Sequence, residues 1–210
     1  MIDLPPPSEI VLERSLGRGE RAEVFACKGG RFAIKRYFTK DQIDLPAKQL
    51  ADYYYDGDGK FLGAERELEV AQRLLHPNVI RIYSLFFDGT TTYLVMDYIE
   101  GKRLDQITDE MRQAARDVVS VLRFALKENL IHHDLHSENF LVDFQGKIYF
   151  IDLDSFEEED GAEDWDEYAD HIYTFIRSLL QYRELETPSG LRTKEDLDKS
   201  LEELERKLLP

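Results

Sequence analysis

Hydrophobic periodicity changes once along this chain, near Gly101, and that change limits the possible folds more than any other feature. From Ile10 to about Lys35 apolar residues alternate with polar ones at strand period. Within this stretch "EVFACKGGRFAIK" reads as two strands joined at Gly29-Gly30, because both central residues of so tight a turn favour positive φ. Residues 62–75 carry Leu68, Ala71, Leu74 and Leu75 at helical spacing, and Pro77 stops that helix. "VIRIYSLFF" and "TTYLVMDYI" follow as strands about the turn Asp88-Gly89. Beyond Gly101, Thr108 is expected to cap a helix running to about Asn129, with Met111, Ala115, Val118, Val119, Leu122 and Leu126 along one face. "FLVD" and "IYFID" flank the turn Gln145-Gly146. Helices are expected at about 166–182 and 194–208, the last opened by Thr193 and Asp196 in the manner of a capping box. The pattern predicts an α+β, bilobal chain with a cleft: a sheet-rich lobe with one helix (1–96), a short hinge (97–101) and a mainly helical lobe (102–210).

Composition narrows the function classes. At 210 residues and 42% hydrophobic, the chain can bury a substantial core. Twenty-seven basic against 43 acidic residues leave a net charge of −16, which repels nucleic acid and anionic lipid. Cys27 stands alone and can form no internal disulfide, and "MIDLPPPSEI" has neither a basic n-region nor an apolar h-region. No apolar run approaches the roughly 20 residues of a membrane helix. An acidic, cytoplasmic protein is expected.

The polar stretch "IHHDLHSENF" (131–140) holds three histidines, an aspartate, a glutamate and an asparagine within eight positions. His132 and His136 are four apart, as on a zinc-binding helix, but the segment runs directly into strand-like residues and no supporting ligand stands at metalloprotease spacing. Upstream, "LGRGERAEV" (16–24) places Gly17 and Gly19 between two strands, where backbone amides can approach an anion without a Cβ in the way. Eleven residues after Val24 comes Lys35 in "FAIKRY", and the helix of residues 62–75 offers Glu65, Glu67 and Glu69 as partners.

Together these residues resemble the protein-kinase superfamily, over nearly the whole chain up to about Phe156. "AIK" resembles the family's strand lysine motif, and "EVAQRLLHPNVIRIY" its C-helix running into the next strand, a spacing that selects Glu67. "YLVMDYIEG" is similar to the hinge, with Met96 as gatekeeper. "HHDLHSEN" is similar to the catalytic loop, with Asp134 and Asn139 in register, and Asp152 stands thirteen residues after Asn139, where the family has its metal aspartate. The resemblance implies ATP with Mg²⁺ or Mn²⁺. Leu16, Gly17, Gly19 and Lys35 would hold phosphates, with Glu67 behind Lys35. Val24, Ala33, Met96, Leu141 and the backbone of Asp97 and Ile99 would take the adenine. Asn139 and Asp152 would hold the metal, and Asp134, aided by His136, would act on the substrate hydroxyl. His132 would be a packed spine residue.

The departures from the family are specific. His133 replaces the arginine that would clamp a phosphorylated loop, so control by that route is not expected. His136 and "FIDLDSF" resemble lipopolysaccharide Kdo kinases, and His136 also aminoglycoside phosphotransferases. An insertion including "DLPAKQLADYYYDGDG" lengthens the interval from Lys35 to Glu67, and Asp170 is the expected tie between the following helix and the catalytic loop. Residues 157–170 hold nine acidic residues and no basic one, either a solvated loop or a lip that admits a cationic substrate. A minimal Ser/Thr protein kinase acting on a hydroxyl is expected, its substrate basic if the acidic residues form a lip. A small-molecule or sugar kinase is the alternative, and a pseudokinase binding module the non-enzymatic one.

Overall fold

The computed structural model describes residues 10–42, 55, 58–107, 111–159, 161, 164–181 and 185–209. The chain divides into two compact units, Met1–Gln72 with Ile80–Ile99, and Arg73–Val79 with Glu100–Pro210.

The first unit is an antiparallel sheet in the order β1 (Leu12–Arg18), β2 (Ala22–Cys27), β3 (Phe32–Tyr37), β5 (Thr92–Asp97), β4 (Ile82–Phe87). Gly29 and Gly30 sit at φ 91° and 66°, the left-handed region that lets β2 turn back on β3 in register, Ala26 opposite Ala33 and Val24 opposite Lys35. Side chains alternate between the faces of β3. Phe32 and Ile34 join Cys27 and Val95 in a core covered by Leu12, Tyr83, Phe86 and Tyr93. Ala33, Lys35 and Tyr37 point to the opposite face. Helix α1 (Gly63–Arg73) buries Ala64, Glu67, Val70 and Ala71. Of the face expected from Leu68, Ala71, Leu74 and Leu75, Ala71 and Leu74 are buried, but Leu68 is only half-buried, and Leu75, past the helix end, is 76% exposed. A glutamate turns inward instead because a lysine on the sheet meets it.

The second unit contains α2 (Arg112–Lys127), α3 (Trp165–Leu180) and α4 (Lys194–Lys207). Beside them lie a three-stranded sheet, β6 (Gly101–Arg103), β8 (Phe140–Asp143) and β9 (Ile148–Phe150), and a pair, β7 (Leu130–His132) with β10 (Phe156–Glu158). Its core stacks Phe140 on Phe175 at 5.1 Å and sets it edge-on to Phe150 at 4.3 Å. Arg123 ties α2 to α4 through Asp198 and Glu205, each at 2.8 Å. The segment 73–79 is held by Asn78, whose amide donates to the Ile148 carbonyl at 2.8 Å and whose carbonyl accepts the Phe150 N–H at 2.9 Å. Met111 precedes α2 without a side-chain cap, and the expected cap Thr108 lies outside the described residues, as does most of the 40–60 insertion. Thr193 does cap α4, accepting from the Asp196 N–H at 3.1 Å. Among the described residues no helix is long and apolar enough to cross a membrane.

Candidate active site

In the first unit the central pair is Lys35 and Glu67. The ammonium lies 2.8 Å from Glu67 Oε2, with side-chain exposures of 12% and 0%. Tyr37, two residues after Lys35 and so on the same face of β3, donates its hydroxyl to the same oxygen. Sequence reasoning passed over Tyr37, although this spacing was its signal. Val24 and Ala33 lie beside this pair on β2 and β3, and Met96 is opposite Ala33 on β5. Asp97 gives its N–H to the Arg81 carbonyl at 3.0 Å and its carboxylate accepts from Tyr83, while Ile99 is half-buried at the end of this unit.

The β1–β2 connection is tight, with Gly17 opposite Val24 and the Gly19 N–H bonded to the Ala22 carbonyl at 2.9 Å, and Leu16 exposed. A Cβ on Gly17 would meet nothing within 4 Å, and one on Gly19 only the Ala22 oxygen at 3.8 Å. Neither glycine has the positive φ seen at Gly29. The fold itself does not require them.

The second unit assembles Asp134, His136, Asn139 and Asp152 around one loop. The Asn139 amide donates to the Asp134 carbonyl at 2.9 Å, and the Asn139 carbonyl accepts the Ile151 N–H at 3.0 Å, which sets Asp152 beside it. His136 Nδ1 accepts the Glu138 N–H, leaving Nε2 to donate to Asp134 Oδ2 at 3.0 Å. Leu141 is half-buried on β8, opposite Tyr149. With its nitrogen engaged by Asp134, Asn139 has its side-chain oxygen to offer, and Asp152 adds a carboxylate. Two hard oxygen donors suit Mg²⁺, which takes the rest of its shell from phosphate and water. Among the described residues no cluster of three His, Cys, Asp or Glu is placed to hold a metal ion.

His132 is 1% exposed and packs edge-on to Phe156 at 4.6 Å and Phe150 at 5.7 Å. Its Nδ1 accepts the Asp134 N–H at 3.2 Å, and burial pushes its pKa down from 6.5 to about 4 against the pull of Asp134 and Asp152. Asp170 does not tie helix to loop: it accepts from Thr187 at 3.0 Å and Arg177 at 3.4 Å. Tyr168 makes the tie, its oxygen accepting the His132 N–H at 3.1 Å. The signal was the buried stripe Trp165, Tyr168, Ala169, Ile172, Ile176, which leaves Asp170 off the inward face. His133 is exposed, 4.0 Å from Glu157.

The acidic segment is not a plain loop. Glu157 and Glu158 belong to β10, Asp164 caps α3, and Asp166 accepts the Gly190 and Leu191 N–H groups at 2.9 and 2.8 Å.

The geometry and the comparisons agree. Residues 10–176 match the family model described as protein kinase domain, and the chain belongs to that family. It is 29% identical to the Aurora/IPL1-related protein kinase 2 of Caenorhabditis briggsae over 158 residues, 70% of this chain and 48% of that protein. It is 32% identical to Aurora kinase A-A of Xenopus laevis over 148 residues, 67% of this chain and 34% of that protein. The corresponding figures for Aurora kinase C of Mus musculus are 27%, 154 residues, 70% and 52%. The chain spans about half the length of these relatives or less.

Proposed function

We propose that the chain is an ATP- and Mg²⁺-dependent kinase that transfers the γ-phosphoryl group to a Ser/Thr hydroxyl of a protein. The observation that carries this reading is the Lys35–Glu67 pair at 2.8 Å, with the carboxylate fully buried. A buried ion pair contributes little to stability, so its place in the fold is better explained by chemistry than by folding. Lys35, oriented by Glu67, would face the α- and β-phosphates. Glycines 17 and 19, which the fold does not need, would let Leu16–Gly19 backbone close on them. The adenine would lie against Val24, Ala33, Met96 and Leu141, with the backbone of Asp97 and Ile99 at its edge. Mg²⁺ bound by Asn139 and Asp152 would neutralise charge on the transferring phosphates. Asp134 would orient the acceptor hydroxyl and take its proton, with His136 holding its carboxylate. A scaffold has no chemical need for all five of Lys35, Glu67, Asp134, Asn139 and Asp152, which speaks against a pseudokinase. The cytoplasm is the proposed compartment, supported by a single, buried cysteine.

His136 on Asp134 favours the second reading, a small-molecule or sugar kinase. Labelled ATP and Mg²⁺ offered with basic proteins and with sugars separate the two by where label appears. Asp152→Ala should abolish transfer while the protein stays folded; unimpaired turnover of that variant would refute the kinase reading.

A further inference from the structure

Glu67 reaches Lys35 from a helix whose start is fixed by three rings. Phe61 stacks on Tyr37 with centroids 4.4 Å and planes 20° apart, and Tyr55 meets Phe61 edge-on at 5.3 Å. Tyr37, Tyr55 and Phe61 are all buried. The Phe61 N–H donates to Thr92 Oγ1 on β5 at 2.9 Å, and the Tyr55 hydroxyl to the Phe38 carbonyl at 2.6 Å. Tyr55 and Phe61 also form an antiparallel backbone bridge. Helix α1 begins only two residues after Phe61, at Gly63, where a Cβ would lie 2.5 Å from the Phe61 ring. Only glycine lets the helix start so close to the stack.

On the other side of Phe61, the Tyr37 hydroxyl donates to Oε2 of Glu67, the oxygen that also takes Lys35. An ammonium has three donors and can turn some of them to a phosphate, whereas a fully buried carboxylate that loses its donors is costly. We propose that Tyr37 is a positioning residue: its hydroxyl, braced by the Phe61–Tyr55 stack, keeps Glu67 on Lys35 from within the first unit, so that the pair stays assembled while Lys35 engages nucleotide. The segment that lengthens the interval from Lys35 to Glu67 thereby acquires a role, since it supplies Tyr55, which braces Phe61. The inference rests on the reading of Lys35 and Glu67 as a nucleotide-holding pair.

Tyr37→Phe removes one oxygen and keeps the stack; Phe61→Ala removes the stack and keeps the hydroxyl. Both are made in the whole chain. Binding of a non-hydrolysable ATP analogue with Mg²⁺ is followed by calorimetry, and amide hydrogen exchange is followed along the backbone. Each variant should bind the analogue about tenfold more weakly. Amides of residues 64–70 should exchange faster while those of the β2–β3 hairpin keep their rates. In a Glu67→Ala background, Tyr37→Phe should add no further loss of binding, because its effect passes through that carboxylate. An undiminished loss in that background would make Tyr37 merely structural and overturn the proposal, as would Tyr37→Phe with unchanged exchange and affinity. A wild-type chain that binds no Mg²⁺–nucleotide would refute the kinase reading instead, while the exchange rates of residues 64–70 would still decide on Tyr37.

Discussion

Acidification should weaken the second unit through His132. In the fold this imidazole is deeply buried between Phe150 and Phe156, and burial brings its pKa from 6.5 to about 4. In the unfolded chain it regains the ordinary value. Above pH 6.5 the ring is neutral in both states, and its full contribution to stability is present. Between 6.5 and about 4 the unfolded state binds the extra proton, so stability falls as pH falls; below about 4 both states are protonated and no further loss accrues. The gap of about 2.5, at about 1.36 kcal/mol per pKa unit, makes a loss of about 3 kcal/mol across that window. Urea unfolding at a series of pH values, without nucleotide or metal, measures it. His132→Leu removes the titrating group, so its stability should fall about 3 kcal/mol less than that of the wild type between pH 6.5 and 4. Ring ¹⁵N shifts provide a direct check, since Nδ1 accepts from Asp134 and the proton should stay on Nε2 down to about pH 4. Parallel pH profiles for the two proteins, or a ring that titrates near 6.5, would refute the reasoning.

Two other expectations follow from the same unit. Tyr168→Phe leaves the buried His132 N–H without its acceptor, a cost of about 1–3 kcal/mol, and should lower kcat more than KM for ATP; equal kcat with a lowered melting temperature would confine Tyr168 to a structural role. Glu157→Gln combined with Glu167→Gln, two exposed positions, should raise KM for a basic protein substrate and leave kcat nearly unchanged, an effect that fades by 1 M salt as the screening length shrinks to about 3 Å; unaltered KM would remove the support for a cationic substrate.

What the sequence reveals and what it hides divide on physical lines. The turns at Gly29-Gly30 and Gln145-Gly146 were legible because positive φ selects glycine, and the structure has φ 66° and 91° at the first and 81° at Gly146. Helix α4 was legible from Thr193 and Asp196 at its start, and the structure buries Leu197, Leu201 and Leu204 along it. Strand β10 was not: Glu157 and Glu158 look like solvated charge, yet they pair with Ile131 and Leu130 at a sheet edge, where charged side chains are tolerated. The family spacing selected Glu67, the carboxylate that meets Lys35, but nothing in the helical pattern shows a glutamate turned inward. Apolar periodicity registers burial of carbon, and the partners of Glu67 come from another strand. Asp170 misled for a related reason, because the family position suggested an acid where a tyrosine hydroxyl does the bonding.

The segment Arg73–Val79 belongs to the second unit although the rest of helix α1 before it and strand β4 after it belong to the first. Its anchor, Asn78, needs Ile148 and Phe150, which are made some 70 residues later. At about 5–20 residues per second, the ribosome exposes this stretch for roughly 4–14 s before its partners exist. A nascent chain can thus finish the five-stranded sheet and still present Val79, buried and bridged to Phe150 in the finished protein, to chaperones. Synthesis that pauses after β5, between residues 98 and 148, should therefore lengthen that exposure without touching the sheet.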